Sequence, residues 1–317
     1  MAHCLCDMSV KKKYLLVLAG PTASGKTALS VQLAKRYRTD IISADSRQIY
    51  REMIIGTASP SLAEMDGVKH HFVREISIKK PYDVATFEKE ALARISRLFD
   101  HHDLVILTGG SGLFIDAICL GLDNMPETKP GIREAVNNLY AQNGLAGLQE
   151  KLKALDPVYY ETVDLQNPRR LQRALEVCLQ TGKPYSFYRK RNTTPRSFEV
   201  IWLALQTDRL ELVNRINLRV EEMMTRGLLE EARGLYAFKE LNALNTVGYQ
   251  ELFRYFDKKI SLEEAVEEIK VNTRQYAKRQ MTWFRKNKQY TWFSNSQLNE
   301  IISFINQETG QGTEMTL

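Results

Sequence analysis

The sequence predicts an α/β fold with a mainly parallel sheet, a helical insert domain and a helical C-terminal region. Short apolar runs alternate with segments of helical periodicity over about the first 120 of the 317 residues. That alternation is typical of parallel strands joined by crossover helices. Strand-like runs are then absent until about residue 197, where another apolar run begins. A chain of this length suits about two domains.

Local sequence patterns predict the strands and helices of the core. A first buried strand is expected at 14–19, where YLLVLA lies between lysines and a glycine. A helix follows it, and a second strand is expected at 40–45 (DIISAD). Apolar residues recur every three or four positions over 82–100, which predicts an amphipathic helix. A third buried strand at 103–108 (DLVILT) ends at two glycines.

The insert is predicted from a change in pattern. Asn167-Pro168 is a good helix start, and Gly182 and Pro184 end that helix. A strand is expected again at 198–205 (FEVIWLAL). We therefore divide the chain into a tail (1–13), the first part of the core (14–119), the insert (120–196) and the core continuation with a basic helical region (197–317).

Composition excludes several classes of protein. With 44% hydrophobic and 26% charged residues, the chain is not mainly disordered, and no apolar run is long enough for a membrane helix. We expect no secretory signal in 1–13. Four cysteines do not form a disulfide framework in a chain this long: Cys119 and Cys178 suit a core, and a zinc site at Cys4 and Cys6 would need ligands from elsewhere. A reducing cytoplasmic location follows.

The net charge of +6 is concentrated near the C-terminus. Between Ile269 and Tyr290 the sequence has seven Lys or Arg and no acidic residue, with aromatic residues among them. Basic side chains can contact phosphates and rings can stack on bases, so this segment suits RNA. A solvated helix whose aromatic residues pack inward explains the same pattern.

The strongest motif is a complete P-loop, which makes the core P-loop NTPase-like. The motif G-x-x-x-x-G-K-[ST] requires a strand before it and a helix after it, and both are predicted here. Backbone N–H groups bind an oxyanion, Lys26 adds a charge, and the hydroxyl of Thr27 suits Mg²⁺. The segment predicts diphosphate binding and comprises Gly20, Pro21, Thr22, Ala23, Ser24, Gly25, Lys26 and Thr27. The motif is also a nucleotide- and ATP-binding signature, and it does not say what carries the diphosphate.

A carboxylate follows the second strand rather than the third. The third strand continues as Leu107-Thr108-Gly109-Gly110 without an acidic residue, unlike many P-loop ATPases. Asp45 follows the second strand, where strand ends face the ligand crevice of an open α/β sheet. Asp45 therefore suits a general base, although a helix cap or a turn would also use aspartate here.

Other charged pairs are ambiguous. Arg215 and Arg219 share a helix face and could bind phosphate, but Glu211 and Glu222 lie at ion-pair spacing. Arg169 and Arg173 in the insert pose the same question. His70-His71 lacks metal-ligand spacing and is interpreted as structural.

A series of motifs resembles the tRNA dimethylallyltransferases, also called tRNA isopentenyltransferases, in their bacterial form without a C-terminal zinc-finger extension. The matching segments run in the family's order over nearly the whole chain. They are GPTASGKT at 20–27, DSRQIY at 45–50, IGTASP at 55–60, GVKHHF at 67–72, TGGSGLF at 108–114, NPRRLQRALEV at 167–177, RINLRV at 215–220, NTVGYQEL at 245–252 and TRQYAKRQMTWFR at 273–285.

The resemblance implies transfer of a dimethylallyl group from dimethylallyl diphosphate to N6 of adenosine 37, beside the anticodon, with release of diphosphate. It implies that Asp45 is the base, that Thr22 through Thr27 hold the diphosphate with Mg²⁺, and that Arg215 contacts it. It implies tRNA contacts at Asp45, Ser46, Arg47, Gln48, Ser111, Arg133, Arg169, Arg170, Leu171, Gln172, Arg173, Asn245, Thr246, Val247, Gly248, Tyr249 and Gln250.

Two positions depart from the family pattern. Ser111 stands where threonine is more common and keeps the hydroxyl, whereas Arg47 replaces a commonly apolar residue, which leaves its contact open. The alternative functions are a small-molecule kinase that uses ATP at the P-loop and a non-enzymatic RNA-binding module. We expect a monomer without an obligate protein partner, since no heptad pattern is sustained.

Overall fold

The computed structural model describes residues 12–190 and 193–310. The chain divides into two compact units: the core unit contains the residues up to Cys119 and from Arg196 onward, and the insert unit is Leu120–Pro195. Cys4 and Cys6 lie outside the described residues.

The core unit contains one sheet of six strands in the order β3-β2-β4-β1-β5-β6, and the pairs between neighbouring strands are parallel. This confirms the predicted α/β fold class. The strands are β1 (Tyr14–Ala19), β2 (Ile41–Ser43), β3 (His70–His71), β4 (Leu104–Gly109), β5 (Glu199–Leu205) and β6 (Thr291–Phe293).

Helices precede and follow these strands along the chain. In the core unit they are α1 (Lys26–Tyr37), α2 (Leu62–Met65), α3 (Val84–Phe99), α4 (Gly112–Leu120), α9 (Arg209–Thr225), α10 (Leu228–Leu235), α11 (Tyr249–Phe256), α12 (Leu262–Phe284) and α13 (Leu298–Thr309). In the insert unit they are α5 (Pro130–Leu155), α6 (Pro157–Tyr160), α7 (Pro168–Thr181) and α8 (Tyr185–Tyr188).

The core of the larger unit forms where strands of near-continuous apolar sequence meet helix faces. All six residues of β1 are buried, as expected for a strand covered on both faces. Leu33 of α1 and Ile301 of α13 pack into the same cluster as the strand residues and are completely buried. Full burial of such side chains stabilises the fold by about 1.5–3 kcal/mol each.

The insert unit has its own core, in which α5 and α7 contribute Leu148, Leu152 and Leu171. The predicted start and end of α7 are confirmed. The Asn167 side chain accepts a hydrogen bond from the N–H of Arg170 at 3.2 Å, and Gly182 ends the helix at a φ of +67°. A left-handed residue at that position favours glycine.

Three strands, β2, β3 and β6, differ from prediction. The second strand is shorter than expected, because the chain leaves the ladder at Ala44, and β6 was missed because its three residues carry no periodic signal. The histidine pair forms β3 beside β2. His71 bonds Asp40 through Nε2 (2.8 Å) and Arg94 through Nδ1 (2.7 Å), in keeping with a structural role.

No helix within 12–190 and 193–310 is long and apolar enough to cross a membrane.

Gly109 permits a close approach at the end of β4. A Cβ added there would lie 2.2 Å from the carbonyl oxygen of Ala44, the residue before Asp45. We expect Gly109→Ala to lower the free energy of unfolding by about 1–3 kcal/mol, the usual range for overpacking. Urea denaturation measures the change.

The matched control is Gly234→Ala in α10, where an added Cβ meets nothing within 4 Å. That change should leave the stability unchanged or raise it by up to about 1 kcal/mol. Equal effects of the two substitutions would contradict the predicted steric conflict.

Candidate active site

The P-loop lies between β1 and α1, as its motif predicts. Gly25 adopts a φ of +90° and is followed directly by Lys26, the first residue of α1. That left-handed conformation favours glycine, and the helix N-terminus adds positive potential. The loop therefore presents backbone N–H groups and a helix end to an anion.

Lys26 is half-buried at this loop. Its Nζ donates a hydrogen bond of 2.6 Å to the carbonyl of Pro21. Burial lowers the pKa of the Lys26 ammonium to about 7, and the nearby positive charge of Arg219 lowers it further. An anion bound beside Lys26 would compensate both effects by favouring the charged form.

The loop also has unused polar atoms. The Ser24 hydroxyl is buried and has no hydrogen-bond partner among the described residues. Thr27 and Asp45 line the same cavity, so hydroxyl and carboxylate oxygens are available together. Hard oxygen donors of this kind suit Mg²⁺, which usually binds one or two protein oxygens together with phosphate oxygens. The described residues contain no cluster of three His, Cys, Asp or Glu side chains suited to a metal ion.

The structure distinguishes the two arginines of α9. Arg219 Nη1 donates a hydrogen bond of 3.3 Å to Thr22 Oγ1, and its side chain lines the cavity. Arg215 pairs with Glu211 one helical turn away and does not line the cavity. The contact of Arg215 with diphosphate stays a prediction, and the structure places Arg219 rather than Arg215 at the P-loop. Burial lowers the pKa of the Arg219 guanidinium.

Asp45 lies in a turn just after β2. Its Oδ1 accepts hydrogen bonds from the N–H groups of Arg47 (2.9 Å) and Gln48 (3.2 Å). The aspartate therefore stabilises its turn, as the alternative interpretation suggested, and it also lines the cavity. Both donors bind one oxygen, which leaves the other oxygen in position to accept a proton.

Ser111 supports the loop that carries Asp45. Its hydroxyl accepts from the N–H of Ser46 (3.0 Å) and donates to the Ser46 hydroxyl (3.2 Å). Tyr276 of α12 lies close to Ser111 and Asp45. Its phenol hydrogen-bonds Ser111, and burial raises the pKa of that phenol to about 12. Ser111 thus braces the Asp45 loop and does not itself line the cavity.

These groups surround one cavity of about 670 Å³ in the core unit. The P-loop forms part of its wall, and the remaining wall comes from the ends of β2 and β4, two loops, and the helices α9 and α12. The predicted site residues among its lining are Thr22, Ala23, Ser24, Gly25, Lys26, Thr27, Asp45, Ser46, Arg47, Gln48, Asn245, Thr246, Val247, Gly248 and Gln250. Gly20 and Pro21 precede the part of the P-loop that lines it.

Arg47 connects two walls of this cavity. Its guanidinium donates to the carbonyls of Asn242 (2.9 Å), Ala243 (3.0 Å) and Asn245 (3.3 Å). The Asp45 loop is thereby joined to the turn before α11. The sequence left the contact of Arg47 open, and the structure shows that this side chain bonds the protein's own backbone.

Tyr249 is another predicted RNA contact whose side chain is buried. It is completely inaccessible and donates a hydrogen bond of 2.7 Å to Glu231. Glu231 also accepts from the N–H groups of Ile54 (3.0 Å), Ile55 (2.8 Å) and Gly56 (2.9 Å). The prediction is wrong for the Tyr249 side chain, which supports the cavity wall instead.

Within the insert unit, the predicted RNA contacts differ in exposure. Arg169 and Arg170 are exposed, and Gln172 bonds Asn137 at 3.1 Å. Leu171 is completely buried in the insert core, so a contact through its side chain is excluded as the structure stands.

The two remaining predicted arginines of the insert share a carboxylate. Arg133 lies 3.4 Å from Glu176 and is mostly exposed. Arg173 bonds Thr128, the carbonyl of Pro126 and Glu176. Arg173 is therefore held within the insert, whereas Arg133 presents much of its surface to solvent.

The basic C-terminal segment has the inward-packed aromatic residues of one interpretation, and its RNA contact stays a prediction. Phe284 and Tyr290 are buried beside one another, and Trp283 donates to Asp116 at 2.9 Å, so these rings pack inward. Tyr276 and Arg279 line the cavity. Arg285, Lys286 and Lys288 are exposed.

Two residues that support the cavity walls were not predicted from the sequence. Gln280 of α12 bonds the P-loop and the end of β4. Glu231 of α10 accepts hydrogen bonds from three backbone N–H groups and from the phenol of Tyr249. No local motif marks either one, because each acts through backbone atoms that are distant in sequence.

Fold and site define an α/β protein with a P-loop and a carboxylate at one cavity. The family model described as IPP transferase matches residues 48–287. The tRNA dimethylallyltransferase of Christiangramia forsetii is 51% identical over 280 residues, which cover 88% of this chain and 93% of that protein.

Two solved structures are similar to this chain over most of its length. The tRNA isopentenylpyrophosphate transferase of Bacillus halodurans is 34% identical with a TM-score of 0.70, covering 94% of this chain and 97% of the other. A eukaryotic dimethylallyltransferase acting on tRNA is 26% identical with a TM-score of 0.72, and the match covers 93% of this chain and 77% of the other. The chain belongs to the IPP transferase family, as its motifs indicated.

The two arginines of α9 can be compared directly by their affinity for inorganic diphosphate. We expect Arg219→Ala to weaken binding about 10–100-fold, because a hydrogen bond to a charged group contributes about 1.5–3 kcal/mol. Arg215→Ala should change the affinity less than about threefold, since its partner is Glu211. Isothermal titration calorimetry measures both, and a larger effect at Arg215 would restore the original assignment.

Proposed function

We propose that this chain is a tRNA dimethylallyltransferase, which transfers a dimethylallyl group from dimethylallyl diphosphate to N6 of adenosine 37 and releases diphosphate. The observation that carries the proposal is that a P-loop, the half-buried Arg219 and a turn-anchored carboxylate line one cavity. Family membership and the names of the relatives support the choice of substrates.

The leaving group is the first chemical problem. Breaking the allylic C–O bond places negative charge on the departing diphosphate. Lys26, Arg219 and the backbone N–H groups after Ser24 stabilise that charge because they are fixed in place before reaction. When Mg²⁺ is bound, the Thr27 hydroxyl is suited to hold it together with oxygens of the diphosphate, and the ion would supply further charge neutralisation to the leaving group.

The nucleophile is the second problem, because adenine N6 is weakly nucleophilic. A new N–C bond forms as one proton leaves N6, and the free oxygen of Asp45 accepts that proton. Oδ1 remains bound to the N–H groups of Arg47 and Gln48, which fixes the direction of the carboxylate. Bond formation, bond cleavage and proton transfer then balance without another reactant.

The RNA substrate is supported by the form of its target. A base in a single-stranded loop can leave its stack at a modest energetic cost and enter a pocket of this size. Arg279 lies at the cavity, and Arg285, Lys286 and Lys288 are exposed farther along the chain. We assign the anticodon stem-loop to this basic region and to the exposed arginines of the insert. A tRNA substrate also favours a cytoplasmic location, and we retain a monomer as the working state.

A kinase that uses ATP at the P-loop is the alternative enzyme. The decisive assay incubates the protein with bulk tRNA, Mg²⁺ and radiolabelled dimethylallyl diphosphate, and a parallel reaction contains ATP labelled at the γ-phosphate. We expect label in tRNA from the first reaction and no tRNA-stimulated hydrolysis in the second. A requirement for ATP, or transfer of γ-phosphate to a metabolite, would favour the kinase.

Substitution of Asp45 tests the base. Asp45→Ala should slow single-turnover transfer by about 10²–10⁴, the usual contribution of a positioned proton acceptor. Asp45→Asn keeps an oxygen that can accept from the Arg47 and Gln48 N–H groups but loses basicity. We expect Asn to be as slow as Ala, with tRNA affinity nearly unchanged in both. Near-normal transfer by Asp45→Asn would mean that the aspartate only shapes its turn.

Salt dependence tests the RNA surface. Arg279→Ala and Lys286→Ala should weaken tRNA binding, and each lost phosphate contact should flatten the slope of log K against log salt by roughly one unit. Lys89→Ala removes an exposed charge from α3 and is the control. Slopes equal to that of the wild type in both test variants would identify the segment as an ordinary solvated surface.

A further inference from the structure

Gln280 is a buried amide whose two ends bond different parts of the site. The residue is 6% exposed, although it lies in the basic C-terminal half of α12. Oε1 accepts from the N–H of Thr22 at 2.9 Å, and Nε2 donates to the carbonyl of Gly110 at 2.9 Å. A buried amide without partners would be costly, so these two bonds fix its orientation.

The bond to Thr22 changes how the P-loop can bind an anion. The N–H of Thr22 is occupied by Gln280, and the Thr22 hydroxyl contacts Arg219. The N-terminal part of the loop is therefore held by side chains from two helices. Only the later N–H groups, toward the start of α1, remain for the diphosphate.

The bond to Gly110 reaches the loop of the base. Gly110 precedes Ser111, whose hydroxyl bonds Ser46 beside Asp45. A Cβ at Gly110 would lie 2.1 Å from Nε2 of Gln280, so the close approach requires glycine there. One amide thus connects the diphosphate loop with the turn that supports the carboxylate loop.

We propose that Gln280 is a positioning residue that sets the distance between the diphosphate site and Asp45. This inference rests on the proposed transfer reaction and adds a role for α12 within it. Tyr276 and Arg279, one turn or less away on α12, line the cavity where the RNA base would enter. A displacement of reacting groups by about 1 Å can cost about 10²-fold in rate.

The first test replaces the amide without changing its size. Gln280→Met removes both hydrogen bonds and leaves the Thr22 N–H and the Gly110 carbonyl without their partner. We expect kcat to fall about 10–100-fold with tRNA affinity within about twofold of the wild type. Gln275→Met makes the same change at an exposed position of α12 and should transfer at the normal rate. Wild-type kcat in Gln280→Met would overturn the proposal.

A second variant separates positioning from packing. Glu at position 280 can accept from Thr22 in both protonation states, but it donates to Gly110 only when protonated. The kcat of Gln280→Glu relative to the wild type should therefore rise at least fivefold as the pH falls from 8 to 5.5. The same ratio for Gln280→Met should stay flat. Parallel pH profiles for Glu, Met and wild type would contradict the hydrogen-bonding role.

A binding measurement keeps this inference distinct from the proposed function. Calorimetry with inorganic diphosphate needs no tRNA and no transfer, and Gln280→Met should weaken binding about tenfold through loss of the loop shape. If the wild type failed to modify tRNA but this loss were observed, the proposed reaction would fail and the loop-positioning role would stand. Unchanged diphosphate affinity together with unchanged kcat would remove the role altogether.

Discussion

The register of three parallel strands is the constraint on which the site depends. Ala19 at the end of β1 pairs with Gly109 of β4, and Ser43 at the end of β2 pairs with Thr108. The loops that follow these strands therefore begin at one edge of the sheet. Side chains alternate along a strand, so a slip of one residue would exchange the side chains of the two buried faces and shift the P-loop relative to Asp45. Apolar burial that stabilises the sheet thus also fixes the distance between two chemical groups.

Much of this arrangement could be predicted from the sequence. The strands of the core carry long apolar runs, and the P-loop motif requires a defined strand and helix around it. The spacing of Arg215 and Arg219 could not show which of them lies at the P-loop, because residues four apart were treated as one helix face. Each step of four residues turns an α-helix by about 40°. Ile216 and Val220 define the buried face of α9, and Arg219 lies one such step closer to that face than Arg215. The buried face of α9, rather than the spacing of the two arginines, determines that Arg219 lies at the P-loop.

The cavity walls were harder to predict, because they depend on contacts between a side chain and distant backbone. Glu231 of α10 binds the N–H groups of 54–56, and Arg47 binds the carbonyls of 242–245. Any backbone offers such groups, so no residue pattern at the receiving loop marks the contact. The burial of Tyr249 was hard to predict for the same reason. An aromatic residue after a glycine can lie at the surface or in the core, and the local sequence does not distinguish the two. Only the packed structure shows that its hydroxyl meets Glu231.

These walls bear on how the site selects its substrate. A P-loop recognises oxyanions through N–H groups and Lys26, which do not sense what the diphosphate is attached to. Selection between a five-carbon allyl group and a nucleoside must therefore come from the surfaces that face the loop. In this chain those surfaces are loops held by Glu231 and Arg47, which satisfy backbone groups that would otherwise need water. Loops fixed in this way keep one shape, and a fixed shape can exclude a larger or more polar group. The residues that hold the walls thus contribute to specificity by fixing the shape of these loops.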